Sequence, residues 1–227
     1  MRWPARPRLF LLLALLFPLL VEGAPRASSS SKASFPKPAV DNPVSTLHGQ
    51  EIAVVSGGCF WGIQALYQHT RGVLSATSGY AGGSADTAHY DTVSSGTTGH
   101  AESVRIIFDP FQITYGQVLM IFFSVAHDPT ELNKQGPDWG SQYRSAVFYS
   151  NPDQKKIAEA YIAQLTAAKV YPQRIVTQIL PLTAFYPAEN YHQDYVKHHP
   201  DNPYIVINDL PKLANFRKLY PELYRDY

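Results

Sequence analysis

The chain has 227 residues, of which 45% are hydrophobic and 16% are charged. This length and balance fit one globular domain with a sizeable core and leave little room for a second. The formal net charge is +1, so the chain lacks the concentrated basic charge that attracts nucleic acids and anionic membrane surfaces. We therefore expect no nucleic acid and no stable membrane association, and a small, nearly neutral molecule as the partner.

The N-terminus has the pattern of a secretory signal peptide, which we place at residues 1–23. Three arginines within the first eight residues precede an apolar run at 9–21, and Gly23 follows this run. Basic, apolar and small residues in this order are typical of export signals. An uncleaved membrane anchor is the alternative, but the run is short and Pro18 interrupts it. The pattern predicts an exported protein, periplasmic or secreted.

The next segment, residues 24–50, has the composition of a linker. It is rich in Ser and Pro and shows little apolar periodicity. Such composition predicts a flexible connection ahead of the folded part.

The folded part begins with the β-branched run EIAVVS at 51–56, which is typical of a buried strand. Further patterns predict strands at 73–80, 101–109, 144–150 and 176–182, and helices at 59–70, 114–126 and 151–169. The last helix has the clearest signals, because Asn151 can cap it and Pro152 suits its first turn. Its apolar stripe consists of Ile157, Tyr161, Leu165 and Ala168. The mixture favours an α+β or α/β two-layer sandwich in a single domain.

The only cysteine of the chain, Cys59, stands in the stretch VVSGGCFWG. A strand that ends at Gly57 and Gly58 and turns directly into a helix would leave this thiol at the helix N-terminus. Free backbone N–H groups and the positive end of the helix dipole stabilise a thiolate there, so the position predicts a lowered thiol pKa and a nucleophile. The alternative is an inert, buried cysteine that packs as a small hydrophobic residue.

A carboxyl group stands in the strand at 101–109. If that strand alternates, Glu102 shares a face with Val104, Ile106 and Phe108. Burial there raises the pKa of the carboxyl group, so that it can keep its proton near neutrality and act as a general acid. The alternative is a glutamate that faces solvent or pairs with Arg105.

Five motifs in order carry a family resemblance. They are GCFWG (58–62), GYAGG (79–83), GHAESVRI (99–106), HDPT (127–130) and QGPDWGSQYRSAVFY (135–149). The chain resembles the A-type peptide methionine sulfoxide reductases, which reduce methionine S-sulfoxide, from about Glu51 to about His199. The resemblance implies a catalytic domain at 51–199 with a C-terminal tail at 200–227. It also implies an α+β two-layer sandwich with a mixed β-sheet and a ferredoxin-like core.

The resemblance implies catalytic roles for four residues. Cys59 would attack the sulfoxide sulfur and become a sulfenic acid, and Glu102 would protonate the sulfoxide oxygen. Tyr90 and Tyr143 match two tyrosines whose hydroxyl groups hold that oxygen. The implied activity is a peptide-methionine (S)-S-oxide reductase that repairs proteins under oxidative stress, and the free amino acid is left open as a further substrate.

The resemblance also implies three substrate-binding residues. Phe60 and Trp61 would form an apolar pocket for the substrate methyl group, and Asp138 would contact the substrate backbone. The implied partners are oxidised, methionine-containing proteins or peptides, and the chain is expected to act as a monomer.

The chain departs from many family members in having one cysteine only. The tail at 200–227 holds no resolving cysteine, so the sulfenic acid must react with an external thiol. Thioredoxin, glutathione with glutaredoxin, and dithiothreitol are the candidate reductants. No bound cofactor and no metal are expected, and the chain lacks the cysteine pairs of the zinc-bearing B-type enzymes.

Two other classes of function remain open at this point. The chain has 8 histidines, one of which could serve as the base of a secreted cysteine hydrolase. A non-catalytic binding module with an aromatic pocket is the other alternative. Release of methionine from a sulfoxide peptide in the presence of dithiothreitol would distinguish the reductase from both.

Overall fold

A computed structural model describes Met1 and residues 35–227 of the chain, and residues 35–227 form one compact unit. The signal peptide predicted at 1–23 lies outside the described residues. The strands are β1 (Glu51–Ser56), β2 (Val73–Ala81), β3 (Ala101–Phe108), β4 (Lys134–Gln135), β5 (Asp138–Trp139), β6 (Ala146–Tyr149), β7 (Gln178–Pro181) and β8 (Phe185–Pro187). The α-helices are α1 (Phe60–Gln68), α2 (Tyr90–Val93), α3 (Tyr115–Ile121), α4 (Pro152–Ala167), α5 (Tyr195–His198) and α6 (Leu210–Leu219).

Six strands form one mixed sheet in the order β7-β6-β1-β3-β2-β8. The pairs within β6-β1-β3-β2-β8 are antiparallel, whereas β6 and β7 are parallel. β3 lies between β1 and β2, and β1 lies between β3 and β6, so each strand–helix–strand unit is split by a third strand. This is the ferredoxin-like arrangement. The predicted α+β fold with a mixed sheet and a ferredoxin-like core is therefore confirmed.

The main core lies on one face of the sheet. Its buried apolar side chains come from that face and from α1, α3, α4 and α6. In β1, Ala53 and Val55 belong to this cluster, whereas Val54 belongs to a smaller cluster with Phe148 on the other face. The alternation follows from the two-residue period of a strand, and the result is one layer of helices on one sheet.

The helix α4 begins as its sequence predicts, with Asn151 as its cap, and ends at Ala167, two residues before the predicted end at 169. The Asn151 side chain accepts a hydrogen bond from the Gln154 N–H at 2.9 Å, and Pro152 occupies the first turn. Three members of the apolar stripe are buried, but Ala168 is exposed and stands at the C-cap. The helix ends there because Lys169 has a left-handed backbone with φ of 51°.

Residues 35–49 lie on the domain, which differs from the flexible linker predicted for 24–50. The Tyr161 hydroxyl donates a hydrogen bond to the Pro36 carbonyl at 2.7 Å. Asp41 accepts hydrogen bonds from the Gly116 N–H at 2.8 Å and from the Thr114 hydroxyl at 2.5 Å, at the N-terminus of α3. Composition could not show this, because an extended segment held mainly by hydrogen bonds needs no apolar periodicity.

We expect Asp41→Ala to destabilise the domain by about 1–2 kcal/mol, because it removes two hydrogen bonds to a side chain at a helix N-terminus. Urea unfolding would measure the change. Asp201→Ala, at an exposed aspartate, is the control and should stay near the parent stability. Equal stability of the two variants would show that the hydrogen bonds of Asp41 do not stabilise the domain.

The C-terminal segment is also part of the domain. Phe216 of α6 is fully buried in the main core, and Ile205 packs with Ala65 of α1 in a further apolar cluster. Residues 200–227 therefore pack against α1 as an integral part of the domain rather than extend from it as a tail. Among the described residues, no helix has the length and apolar character needed to cross a membrane.

Candidate active site

The nucleophile turn, Gly57–Cys59, connects β1 to α1. Gly58 has φ of +96°, a backbone conformation that favours glycine, and Cys59 is the N-cap residue of α1. The space that a Cβ would fill at Gly57 is taken by the His127 ring, and at Gly58 by the Gln135 side chain. The two glycines thus allow a tight turn with side chains packed against it, and the thiol lies at the helix N-terminus as the sequence predicts.

A single pocket of about 170 Å³ brings the predicted site residues together. Its lining comes from α1 and its N-cap residue, α2, β3, β5, the short 3₁₀-helix before β6 and the C-terminal segment. The lining residues are Cys59, Phe60, Trp61, Tyr90, Glu102, Asp138, Tyr143 and Tyr204. All seven residues proposed from the sequence line this active-site pocket, and Tyr204 is the one that sequence reasoning missed.

Glu102 is a buried carboxyl group beside the nucleophile turn. It is 3% exposed and faces the same layer as Val104 and Ile106, so the alternating pattern inferred for β3 is confirmed. Its Oε2 accepts a hydrogen bond from the Phe60 N–H at 3.1 Å. Burial raises the pKa of Glu102 to about 8, although the Phe60 hydrogen bond opposes the shift and the charge of Asp138 adds to it. Glu102 is thus protonated at neutral pH.

The thiol differs from the sequence expectation. The pKa of Cys59 is raised well above its ordinary value, first by burial and then by the charge of Glu102. The backbone hydrogen bond from Trp61 lowers it, as expected at a helix N-terminus, but this contribution is smaller. The effect of the helix N-terminus on the thiol pKa is therefore smaller than the opposing effects of desolvation and nearby carboxylates, because the thiol is only 8% exposed.

We expect the free enzyme to react slowly with iodoacetamide at neutral pH, because only the thiolate is alkylated. The rate should rise with a midpoint above the ~8.5 of an ordinary thiol. Alkylation of Cys59 can be followed by mass spectrometry from pH 6 to 10, with glutathione as the free-thiol control. A midpoint below that of glutathione would show that the helix N-terminus lowers the thiol pKa by more than burial raises it.

Two tyrosines approach the pocket from different elements. Tyr90 is the first residue of α2, and Tyr143 ends a short 3₁₀-helix at Ser141–Tyr143. Burial, followed by the charge of Glu102, raises the pKa of both phenols. Both hydroxyl groups therefore keep their protons and can donate hydrogen bonds to an oxygen in the pocket.

The Trp61 ring is held by aromatic neighbours that the sequence did not reveal. It stacks on Tyr195 with ring centres 3.8 Å apart, and its Nε1–H donates to His192 Nδ1 at 3.1 Å. Tyr204 meets it edge-on at 5.9 Å, and the Tyr204 hydroxyl donates a hydrogen bond to Asp138. These contacts fix one apolar wall of the pocket.

Glu189 connects two elements behind the pocket. Its Oε1 accepts from the Tyr90 N–H at 2.9 Å, and its Oε2 accepts from the Tyr80 hydroxyl at 2.8 Å. No spacing in the sequence points to Glu189, His192 or Tyr204, because long-range contacts alone bring them to the pocket. Within residues 35–227, no group of three or more His, Cys, Asp or Glu side chains lies together as a metal site.

Comparisons with known proteins identify the family. Residues 51–223 match the family model described as peptide methionine sulfoxide reductase. A peptide methionine sulfoxide reductase MsrA 2 of Mesorhizobium japonicum is 58% identical over 178 residues, covering 78% of this chain and 91% of that protein. A protein of the same name from Synechocystis is 52% identical over 189 residues, covering 82% of this chain and 88% of that protein.

Comparison with solved structures identifies the same family. Methionine sulfoxide reductase A of Corynebacterium diphtheriae aligns with a TM-score of 0.59 and 34% identity, covering 78% of this chain and 93% of that one. Reduced Mxr1 from Saccharomyces cerevisiae aligns with a TM-score of 0.62 and 30% identity, covering 70% of this chain and 93% of that one. The chain therefore belongs to the A-type peptide methionine sulfoxide reductases, oxidoreductases that return methionine sulfoxide to methionine.

Proposed function

We propose that this chain reduces methionine S-sulfoxide in proteins by oxygen transfer to Cys59, and that an external thiol then regenerates the enzyme. The observation that carries the mechanism is the active-site pocket itself. One thiol, one protonated carboxyl group and two phenol hydroxyls line a cavity of about 170 Å³, which is small enough for a single side chain to enter. The reaction repairs oxidised proteins.

Binding orients the sulfoxide before any bond changes. Phe60 and Trp61 form the apolar wall that receives the substrate methyl group, and Tyr204 extends that wall. Asp138, which accepts a hydrogen bond from the Tyr204 hydroxyl, contacts the substrate backbone; burial raises its pKa and the Tyr204 hydrogen bond lowers it. The sulfoxide oxygen then points towards Tyr90 and Tyr143, which donate hydrogen bonds to it.

Oxygen transfer begins with attack of Cys59 Sγ on the sulfoxide sulfur while Glu102 protonates the sulfoxide oxygen. A polarised oxygen makes the sulfur more electrophilic, and a general acid with a pKa near 8 suits a reaction at neutral pH. The substrate S–O bond breaks and an S–O bond forms on Cys59. Methionine leaves, reduced by two electrons, and Cys59 is oxidised to sulfenic acid. The thiol proton ends on the sulfenic acid, and Glu102 regains its own.

Regeneration needs two thiol equivalents from outside the chain. The first thiol attacks Cys59 sulfenic acid, forms a mixed disulfide and releases water. The second attacks the mixed disulfide and restores the Cys59 thiol while an external disulfide leaves. Thioredoxin, glutathione with glutaredoxin, and dithiothreitol can each supply these thiols. The chain requires no bound cofactor in this scheme.

Export to the periplasm or the extracellular space is part of the proposal. The basic, apolar and small residues of 1–23 support it. Fractionation of expressing cells would test it, because cleavage near Gly23 and recovery outside the cytoplasm are the expected results. Full-length protein in the cytoplasm would contradict export and leave the reaction untouched.

The decisive experiment incubates the protein with dithiothreitol and a peptide that carries either the S or the R epimer of methionine sulfoxide. Only the S epimer should yield methionine, and Cys59→Ser should abolish the reaction. Hydrolysis of an ester or amide without thiol consumption would identify a cysteine hydrolase instead. Binding of the peptide without turnover, unchanged in Cys59→Ser, would identify a binding module.

A further inference from the structure

Asp209 is a buried carboxylate outside the active-site pocket. The side chain is 0% exposed, and its Oδ1 accepts a hydrogen bond from Lys212 Nζ at 3.1 Å. Its Oδ2 is also buried and has no hydrogen-bond partner among the described residues. A buried and incompletely satisfied carboxylate is costly to the fold. Neither the core nor the reaction scheme above accounts for it.

The carboxylate of Asp209 lies against α1, the helix that Cys59 caps. Gly62 is the third residue of α1, and a Cβ at that position would overlap the Asp209 carboxylate. The absence of a side chain at Gly62 therefore lets Asp209 reach the first turn of the helix that Cys59 caps. This explains the last glycine of the GCFWG motif by a contact rather than by backbone conformation.

Asp209 is also joined to the pocket wall. It ends a π-helical turn, Ile205–Asp209, that begins directly after Tyr204. Tyr204 lines the pocket, meets Trp61 edge-on and donates a hydrogen bond to Asp138. π-helical turns are rare overall, and those that occur are often found at functional sites. This turn presents Tyr204 to the pocket and Asp209 to α1 at the same time.

The charge of Asp209 acts on the thiol. It raises the pKa of Cys59, after burial and the charge of Glu102 and ahead of Asp138. Burial raises the pKa of Asp209 itself and Lys212 opposes that shift. The titratable and charged groups that surround the nucleophile turn from the packed elements are Glu102, Asp138, Asp209, Lys212, Tyr90, Tyr143, Tyr204, His127 and His192.

We propose that Asp209 is a positioning residue for the Cys59 reaction, on the basis of the nucleophilic role proposed above. Its carboxylate, oriented by Lys212, holds the turn that carries Tyr204 against Gly62 and places a negative charge beside the thiol. The thiol of Cys59 then stays protonated in the resting enzyme. In a chain with one cysteine, this arrangement also limits oxidation of the resting thiol by peroxide, because the thiolate is the species that oxidants attack.

Two substitutions with opposite expected effects test the charge. Asp209→Asn keeps the shape and removes the negative charge, so the midpoint of iodoacetamide alkylation should fall by about one pH unit. Lys212→Met leaves the negative charge unbalanced, so the midpoint should rise. Lys218→Met and Asp201→Asn are exposed controls and should leave the midpoint unchanged. Shifts in the same direction, or no shift in either variant, would overturn the proposal.

A double-mutant cycle tests the contact. Gly62→Ala should lower kcat/KM for N-acetyl methionine sulfoxide by about 10- to 100-fold, because displacing Asp209 moves the pocket wall. Asp209→Ala should restore part of that loss in the double variant, since it removes the overlap. No relief in the double variant would refute the positioning role. The alkylation profiles need no turnover, so failure of the proposed reductase activity would be recognised separately.

Discussion

Glu102→Gln is expected to lower kcat/KM for methionine S-sulfoxide by about 10²–10⁴-fold, the usual contribution of a general acid. The amide keeps the shape of the side chain and can still accept the hydrogen bond from the Phe60 N–H, but it has no acidic proton to transfer. Glu159→Gln, at an exposed position on α4, is the matched control. Activity within a factor of a few of wild type would reduce Glu102 to a structural residue.

The pH profile gives the same prediction a second readout. Glu102 must be protonated to act as an acid and its pKa is about 8. The activity that depends on it is therefore present below pH 8 and lost as the pH rises through 8. The wild-type kcat/KM should fall on the alkaline side, and the residual activity of Glu102→Gln should lack that fall. An alkaline limb that persists in the variant would have to be assigned to another group.

The same carboxyl group should cost stability at high pH. The folded state holds the Glu102 proton up to about pH 8, whereas an ordinary glutamate loses it near 4.5. Folding therefore takes up a proton between these values, and stability falls as the pH rises from 4.5 to 8. Glu102→Gln should thus be more stable than wild type at pH 9, by roughly a few kcal/mol. Lower stability of the variant at pH 9 would contradict a buried carboxylate.

The elements that sequence reasoning found are those whose signals are local. Strand alternation placed Glu102 on the core face, and a capping residue with a following proline marked the start of α4 at Asn151. The glycine pair before Cys59 indicated the strand-to-helix turn. These features depend on neighbouring residues, so periodicity and capping chemistry suffice to predict them.

The roles of the site residues could be predicted only from the family motifs. The residues that support the site from behind could be found only in the folded structure. Tyr90 and Tyr143 could not be selected from the 15 tyrosines of the chain without the family pattern. Asp209 and Tyr204 reach α1 from the C-terminal segment, and His192 reaches it from the segment before α5. No apolar period or spacing in the sequence distinguishes these residues. The direction of the thiol pKa was also predicted wrongly, because the helix dipole is visible in the sequence and the burial of Cys59 is not.

The prediction most particular to this chain concerns a single turnover. Without a thiol, the enzyme should release one equivalent of methionine and stop, because the chain has no second cysteine to condense with the oxidised Cys59. Dimedone should then trap Cys59 as a sulfenic acid, and mass spectrometry would locate the adduct. A small thiol such as glutathione should instead give a mixed disulfide at Cys59 before regeneration.

The burial of the thiol makes this state observable. Cys59 is 8% exposed inside a pocket of about 170 Å³, so two Cys59 residues of different molecules cannot approach each other without opening both pockets. The oxidised protein should therefore run as a monomer on a non-reducing gel. Repeated turnover with no thiol present would refute the scheme. A covalent dimer formed as an obligatory intermediate would show that a second copy of the chain supplies the resolving thiol.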